Sequence, residues 1–334
     1  MAILTPTKTS AILLRVLLSF ESQIIWYSKR PLKSADFSRS MLQFIDLGHN
    51  RSMGIPSVQF GTVPSVVVDS ERRPVTDVLR ELWQRRELVF FLTWREIKVR
   101  YQQTAIGFLW VILQPALTML VFSLVFGRFV RIPSEGVPYS VFAISGIVPW
   151  MFFSTAVSQS SNSLVSNSPL LNKIYLPRLA LPLASVLSMV VDFCLAFCLV
   201  LVIMMFHGIY PGPKVALIPL FFFFAFCAAL GVGLWLAALN VKFRDIRYAV
   251  PFLIQLWMFA TPIAYPSGLV PRKWRPIYEL NPMVGVVDGF RLALLNTGEF
   301  RMHEFGVLVL VASALLVTGC LYFLRAERQF ADII

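Results

Sequence analysis

Six stretches of this chain run for twenty or more residues almost without charge. They are residues 101–127, 136–172, 179–206, 215–240, 248–271 and 305–324, and Asp192 is the single charge inside them. A helix rises ~1.5 Å per residue, so ~20 apolar residues cross the ~30 Å hydrocarbon core of a bilayer. Lipid offers an open backbone no hydrogen bonds, which leaves helices and closed barrels as spanning forms. A barrel would show alternating segments of about ten residues. These runs are long and continuous, so they predict helices. The expected fold is an all-α integral membrane protein with six transmembrane helices, at about 106–127, 139–160, 179–206, 215–239, 248–266 and 305–324.

Six crossings place both termini on one side. Lys and Arg in the flanks decide which side. One set of flanks holds Arg95, Lys98, Arg100, Lys173, Arg178, Lys242, Arg244, Arg247, Arg325 and Arg328. The other holds Arg128, Arg131 and Lys214, plus five basic residues in one long loop, where the rule counts less. The short connections therefore predict cytoplasmic termini.

The connections differ in kind. Residues 128–138 and 207–214 are short and rich in Pro and Gly. Residues 267–304 form a long loop with apolar groups at 283–287 and 290–295, broken by Pro271, Pro276 and Pro282. Apolar pieces this short predict re-entrant or interfacial helices before the last span. Ahead of the first span, residues 75–100 place Val75, Val78, Leu79 and Leu82 at helical spacing. Leu88, Phe91, Leu92 and Trp94 follow, with Arg80, Arg85, Arg86, Arg95 and Lys98 around them. Aromatic residues on one face and cations on the other suit an amphipathic helix lying in the headgroup plane. Residues 1–70 lack a long apolar run and read as a flexible basic tail, or as the product of an upstream start with Met41 or Met53 as the true one. Residues 101–334 form the six-helix transmembrane domain.

Composition sharpens this picture. The chain of 334 residues is 57% hydrophobic and 14% charged. A soluble protein is about one quarter charged, so soluble, disordered and fibrous classes are excluded. The net charge of +12 would suit nucleic acid, but beside lipid it suits basic loops, and no nucleic-acid partner is expected. The residues before 61 hold seven basic and three acidic side chains, which is +4 of that excess. Cys194, Cys198, Cys227 and Cys320 all lie in apolar runs with no metal-ligand spacing, and read as small buried hydrophobes.

Chemistry is sparse. The chain has no G-x-x-x-x-G-K-[ST], no HExxH and no G-x-S-x-G, so no catalytic residue, metal site or cofactor of its own is expected. Asp192 reads as a carboxylate paired with an Arg or hydroxyl of a neighbouring helix rather than as a proton site, because a second intramembrane acid or His is missing. Aromatic residues gather near span ends: Tyr139, Trp150, Phe152 and Phe153, then Trp257, Phe259 and Tyr265. They suit an interfacial belt, core packing or a stacking surface for sugar rings. Residues 158–178 are unusually polar for a link between paired helices, with six serines between 158 and 168, and read as a docking element.

At this point several segments resemble one family. Arg95-Glu-Ile-Lys-Val-Arg-Tyr-Gln-Gln-Thr-Ala-Ile-Gly-Phe-Leu-Trp110 and Leu113-Gln-Pro115 resemble the opening of permease subunits of polysaccharide and polyol-phosphate exporters of the ATP-binding-cassette superfamily. So do Gly146-Ile-Val-Pro-Trp150, Asn172-Lys-Ile-Tyr-Leu-Pro-Arg178, Leu239-Asn-Val-Lys-Phe-Arg-Asp-Ile-Arg247, Phe259-Ala-Thr-Pro-Ile-Ala-Tyr-Pro266, Leu280-Asn-Pro-Met283 and Glu327-Arg-Gln-Phe-Ala-Asp332. The resemblance covers about residues 75–334.

It implies a homodimeric six-helix permease in the bacterial inner membrane, with an export channel between the copies. Two copies of a separate ATPase would bind ATP and Mg on the cytoplasmic side, and the cargo would be a lipid-linked glycan. The loop after the second span would carry a coupling helix, here about 162–178, with Asn172, Lys173, Tyr175 and Arg178 as the ATPase-coupling residues. The segment before the first span would be an interface helix carrying Arg95, Lys98 and Arg100, and residues 267–295 an outer gate. The substrate path would run along Trp150, Phe153, Trp257 and Tyr265. Exporters of teichoic acid, capsule, lipid or drugs are neighbouring alternatives. A secondary transporter would need inverted repeats and a midplane charge site, and a membrane glycosyltransferase would need acids clustered in a loop. Neither pattern is present.

Overall fold

The computed structural model describes residues 75–102, 107–171, 176–296 and 302–330, and among them every regular element is helical. The expected basic tail, residues 1–70, lies outside the described residues.

The chain order is α1 (Val75–Gln84), α2 (Arg86–Gln102), α3 (Leu109–Phe122, prolonged by a π-helical stretch Ser123–Phe129), α4 (Tyr139–Ser166), α5 (Ser168–Leu171), α6 (Ala180–Phe206), α7 (Ile218–Lys242), α8 (Ile246–Phe259), α9 (Arg275–Glu279), α10 (Pro282–Leu295) and α11 (Met302–Phe330). Five segments among the described residues are long and apolar enough to cross a membrane: Leu109–Phe129, Tyr139–Ser166, Ala180–Phe206, Pro213–Lys242 and Met302–Glu327. The last four reach about 40 Å each at 1.5 Å per residue, ample for hydrocarbon.

The predicted fifth span is shorter than its apolar run. Helix α8 has 14 residues and ends at Phe259, and residues 260–266 are irregular. Pro262 and Pro266 explain the break: each removes a backbone donor and biases the residue before it away from helix. The single amphipathic helix expected over 75–100 is two helices, and only α1 is strongly amphipathic. A turn residue, Arg85, separates them, yet Arg85 N still donates to Glu81 O at 2.9 Å and Val89 N to Arg85 O at 3.4 Å, so helical bonding crosses the junction. Leu82 of α1 joins Val89 and Leu92 of α2 in one buried cluster with Leu164, Leu181 and Phe323.

Helix α4 is the centre of the bundle. Its residues 141–150 are all buried, and it packs along both α6 and α7. Phe152, Phe193 and Phe222 join these three helices, with the Phe193 and Phe222 rings stacked 4.1 Å apart. Helix α11 lies along α7 backbone to backbone. A Cβ on Gly231 would sit 2.5 Å from the Leu315 carbonyl, and one on Gly319 would sit 2.3 Å from the Gly231 oxygen. Small residues at a crossing let membrane helices gain close van der Waals contact where no hydrophobic drive exists between them. By contrast, α3 buries only Pro115 and α8 only Val250.

The cysteines correct one expectation. Cys227 is buried, but Cys194 and Cys198 are exposed and Cys320 is half-buried, because Cys194 and Cys198 fall on the face of α6 opposite to the one that Phe193, Ala196 and Val200 bury.

Candidate functional site

Polar side chains concentrate in two regions of this apolar bundle. In the first, which reaches from one end of the bundle to Asp192 midway along α6, α2 is keyed to α6. Glu96 and Arg100 are four residues apart on α2; Ser185, Ser188 and Asp192 recur every three to four residues on α6, so each set shares a helix face. Arg100 Nη1 donates to Asp192 Oδ2 at 2.8 Å and its Nη2 to Ser188 at 3.2 Å. Tyr101 donates its hydroxyl to the other Asp192 oxygen. Ser185 donates to Glu96 at 2.9 Å. Burial pushes the Glu96 carboxyl above the usual range, against the hydroxyl of Ser185 and the charges of Arg95 and Arg100. Burial and Asp192 push the Tyr101 phenol well above its ordinary value.

The same end gathers further contacts. Arg95 bonds Asn167 Oδ1 at the end of α4. Arg178 donates to the Glu327 carbonyl at 2.6 Å, tying the start of α6 to the end of α11. Asn240 Nδ2 donates to Ser161 O at 2.8 Å and to Asn162 Oδ1 at 3.0 Å, tying α7 to α4. Of the expected interface residues, Arg95 and Arg100 thus bind the bundle while Lys98 is exposed. Of the expected coupling residues, Asn172, Lys173 and Tyr175 lie outside the described residues, and Arg178 holds two helices together.

The reading of Asp192 as a paired carboxylate holds: its partners are a guanidinium, from α2, and a phenol. The pair is partly buried, with side-chain exposures of 26% and 23%. Removing either partner leaves the other half-desolvated, at a cost of about 2 kcal/mol. Arg100→Ala and Asp192→Ala are each expected to lower the melting temperature in detergent. In the double variant the two losses should fall short of their sum by about 1 kcal/mol. Strict additivity would show that the two groups do not interact.

At the opposite end, the broken tail of α8 has its backbone groups satisfied one by one. Tyr139 donates to Ala264 O at 2.7 Å, Arg291 Nη2 to Ile263 O at 3.0 Å and Arg291 Nη1 to Tyr265 O at 3.5 Å. Tyr265 donates to Phe259 O at 3.0 Å. Asn281 caps α10 by accepting from Met283 N, accepts from Trp257 Nε1 at 2.9 Å and donates to Ala260 O at 3.1 Å. The Arg291 guanidinium also lies 3.7 Å from the centre of the Phe142 ring, with Asp288 at 3.7 Å. Backbone that leaves a helix inside an apolar bundle is tolerated only where protein supplies the missing hydrogen bonds, and these residues supply them.

Three of the four aromatic residues expected along a substrate path cluster. Trp150 and Phe153 are 5.6 Å apart, and Phe153 meets Trp257 edge-on at 5.0 Å. Tyr265 stands apart from these rings, its oxygen 3.3 Å from the Tyr278 hydroxyl. Trp150 and Phe153 are buried within the bundle, whereas Trp257 and Tyr265 are partly exposed. Sequence reasoning missed Glu96, Ser185 and Ser188; the spacing placed Glu96 with Arg100 on one helix face and the two serines with Asp192 on another, but not the meeting of the two faces. It also counted Arg291 only among the flanking cations, since nothing local marks it as buried. Among the described residues no group of His, Cys, Asp or Glu could hold a metal ion.

Comparison with known proteins adds ancestry to this geometry. A family profile of the ABC-2 type transporter matches residues 87–295. The chain is 33% identical over 259 residues to the O-antigen export system permease protein RfbA of Myxococcus xanthus, across 77% of this chain and 99% of that protein. It is 28% identical to an O-antigen export system permease protein RfbA of Klebsiella pneumoniae, across 74% and 95%. It is 23% identical to the polysialic acid transport protein KpsM of Escherichia coli, across 60% and 78%.

Proposed function

The chain belongs to the ABC-2 type transporter family, and from that premise we propose that it moves a lipid-linked, O-antigen-like polysaccharide outward from the cytoplasm. It is a multi-pass membrane protein and the permease of a polysaccharide exporter. The observation that carries the finer reading is alignment along 99% of an O-antigen export permease.

In this reading α8 and the residues after it complete a sixth crossing, both termini are cytoplasmic, and the membrane is the bacterial inner membrane. Helices α9 and α10 re-enter from the outside as an outer gate. Two copies pair, and the thinly covered helices α3 and α8 offer the faces for it. A separate ATPase, also in two copies, binds ATP and Mg; this chain takes no cofactor. ATP binding draws the ATPase subunits together, and the segment 162–178, with Asn172, Lys173, Tyr175 and Arg178, converts that movement into displacement of the spans. Such work is transmitted only through contacts that differ between the two conformations. Segment α1–α2 is the interface helix at headgroup depth. The path runs beside Trp257 and Tyr265, with Trp150 and Phe153 packed behind Trp257.

Deletion of the gene tests this reading. Surface glycan is expected to disappear while lipid-linked glycan accumulates inside, and the full chain should restore export. Normal surface glycan in the deletion strain would overturn it. In the same complementation assay Lys173→Ala should stay in the membrane yet export about tenfold less, the loss expected for one charge-assisted contact. Trp257→Ala should likewise assemble and export poorly. Full export by either variant would remove that residue from its role.

A further inference from the structure

Between α1–α2 and the first turns of α6 runs an open groove of about 600 Å³. Trp83, Val89 and Phe90 form one wall, Leu187, Val190 and Val191 the other, and Arg86 lines it as well. We propose that this groove seats an acyl chain of an anionic membrane phospholipid, with the lipid phosphate held by the Arg86 guanidinium. The proposal rests on the placement of α1–α2 at headgroup depth.

The lining explains the tail. Thr93, the one hydroxyl there, already donates to Val89 O at 2.8 Å. Water needs two to four polar partners to stay in such a space and would find almost none. Leu187, Val190 and Val191 fall seven to eleven residues into α6, roughly 10–17 Å along its axis, which is hydrocarbon rather than headgroup depth. Trp83 and Phe90 remain 72% exposed on the same side, so the wall is built to meet more apolar material than the chain provides.

The charges explain the head. Arg85 is paired with Glu81 at 3.2 Å, Arg95 with Asn167 and Arg100 with Asp192. Arg86 has no carboxylate or amide side chain among the described residues; its neighbour is the Trp83 ring, 5.9 Å from the guanidinium carbon. A planar fork of donors beside an apolar slot matches a phosphate ester with a hydrocarbon tail. A lipid seated there would wedge α1–α2 against α6 at one end of the segment, while the Arg100–Asp192 pair fastens the other.

The test uses the full chain in nanodiscs, with brominated-chain phosphatidylglycerol and phosphatidylcholine as probes. Trp83 quenching is taken as the difference between the unsubstituted chain and Trp83→Phe. Phosphatidylglycerol is expected to quench Trp83 at about tenfold lower lipid fraction than phosphatidylcholine, because its phosphate charge meets Arg86 unopposed whereas the choline ammonium of phosphatidylcholine offsets it. Arg86→Gln, a surface change that leaves the core alone, should erase that preference. Leu187→Phe should weaken quenching by both lipids. Equal quenching of the unsubstituted chain by the two lipids would overturn the assignment of an anionic lipid to this groove. An isoprenoid-linked glycan in place of phospholipid, found by mass spectrometry of the purified chain, would overturn the occupant. Absence of quenching by either lipid would instead remove α1–α2 from the headgroup layer.

Discussion

Arg291→Met is expected to abolish export and to lower thermal stability by about 3–5 kcal/mol, the usual cost of stripping one partner from a buried polar network. The residue is 2% exposed and serves the irregular backbone after α8, not a neighbouring charge alone. Its two terminal nitrogens face the carbonyls of Ile263 and Tyr265, and its plane covers the Phe142 ring. Methionine fills the volume but donates nothing, so those carbonyls would be left unsatisfied. Arg291→Lys should rescue little, because an ammonium cannot span two carbonyls and stack on a ring together. Complementation of the deletion strain and melting in detergent measure both effects. A methionine variant that melts and exports normally would show that the segment after α8 does not depend on this clamp.

Gly231→Val is expected to remove most of the folded protein from the membrane. A Cβ there would meet the Leu315 carbonyl carbon and oxygen at 2.5 Å and the Leu316 nitrogen at 2.6 Å, and those are backbone atoms that cannot rotate away. Helices α7 and α11 would have to part, and the cost is about 3 kcal/mol or more. Recovery of monodisperse protein after detergent extraction measures it. Gly306→Ala is the control, since a Cβ on Gly306 meets nothing within 4 Å. Equal recovery of the two variants would mean that the close crossing is not needed for the bundle.

How far the chain could be read in advance differs from element to element. The spans at α3, α4, α6, α7 and α11 were visible because lipid demands long uncharged runs and long runs survive any tertiary context. The break after Phe259 was hidden inside the fifth run: apolar residues continue to Pro271, and hydropathy does not distinguish helix from a proline-broken loop that protein satisfies. The pairing of Asp192 could be anticipated from the price of a lone carboxylate in lipid, but its partners, Arg100 and Tyr101, lie more than ninety residues away. The path aromatics show the same limit. Their identity marks them as sugar-stacking candidates, while burial places Trp150 and Phe153 inside the bundle.

By itself, then, the sequence determined the solvent, the helical form of the long spans and the family, because charge spacing and ordered motifs are properties of contiguous residues. Tertiary structure alone decided where the rare polar side chains go. It set Glu96 and Arg100 against the hydroxyls and carboxylate of α6, and Arg291 against the carbonyls that Pro262 and Pro266 leave exposed. The reason is physical: in a lipid-embedded chain each polar group must find a partner within the protein, and that partner is fixed by how the helices pack, not by what lies beside it in the chain.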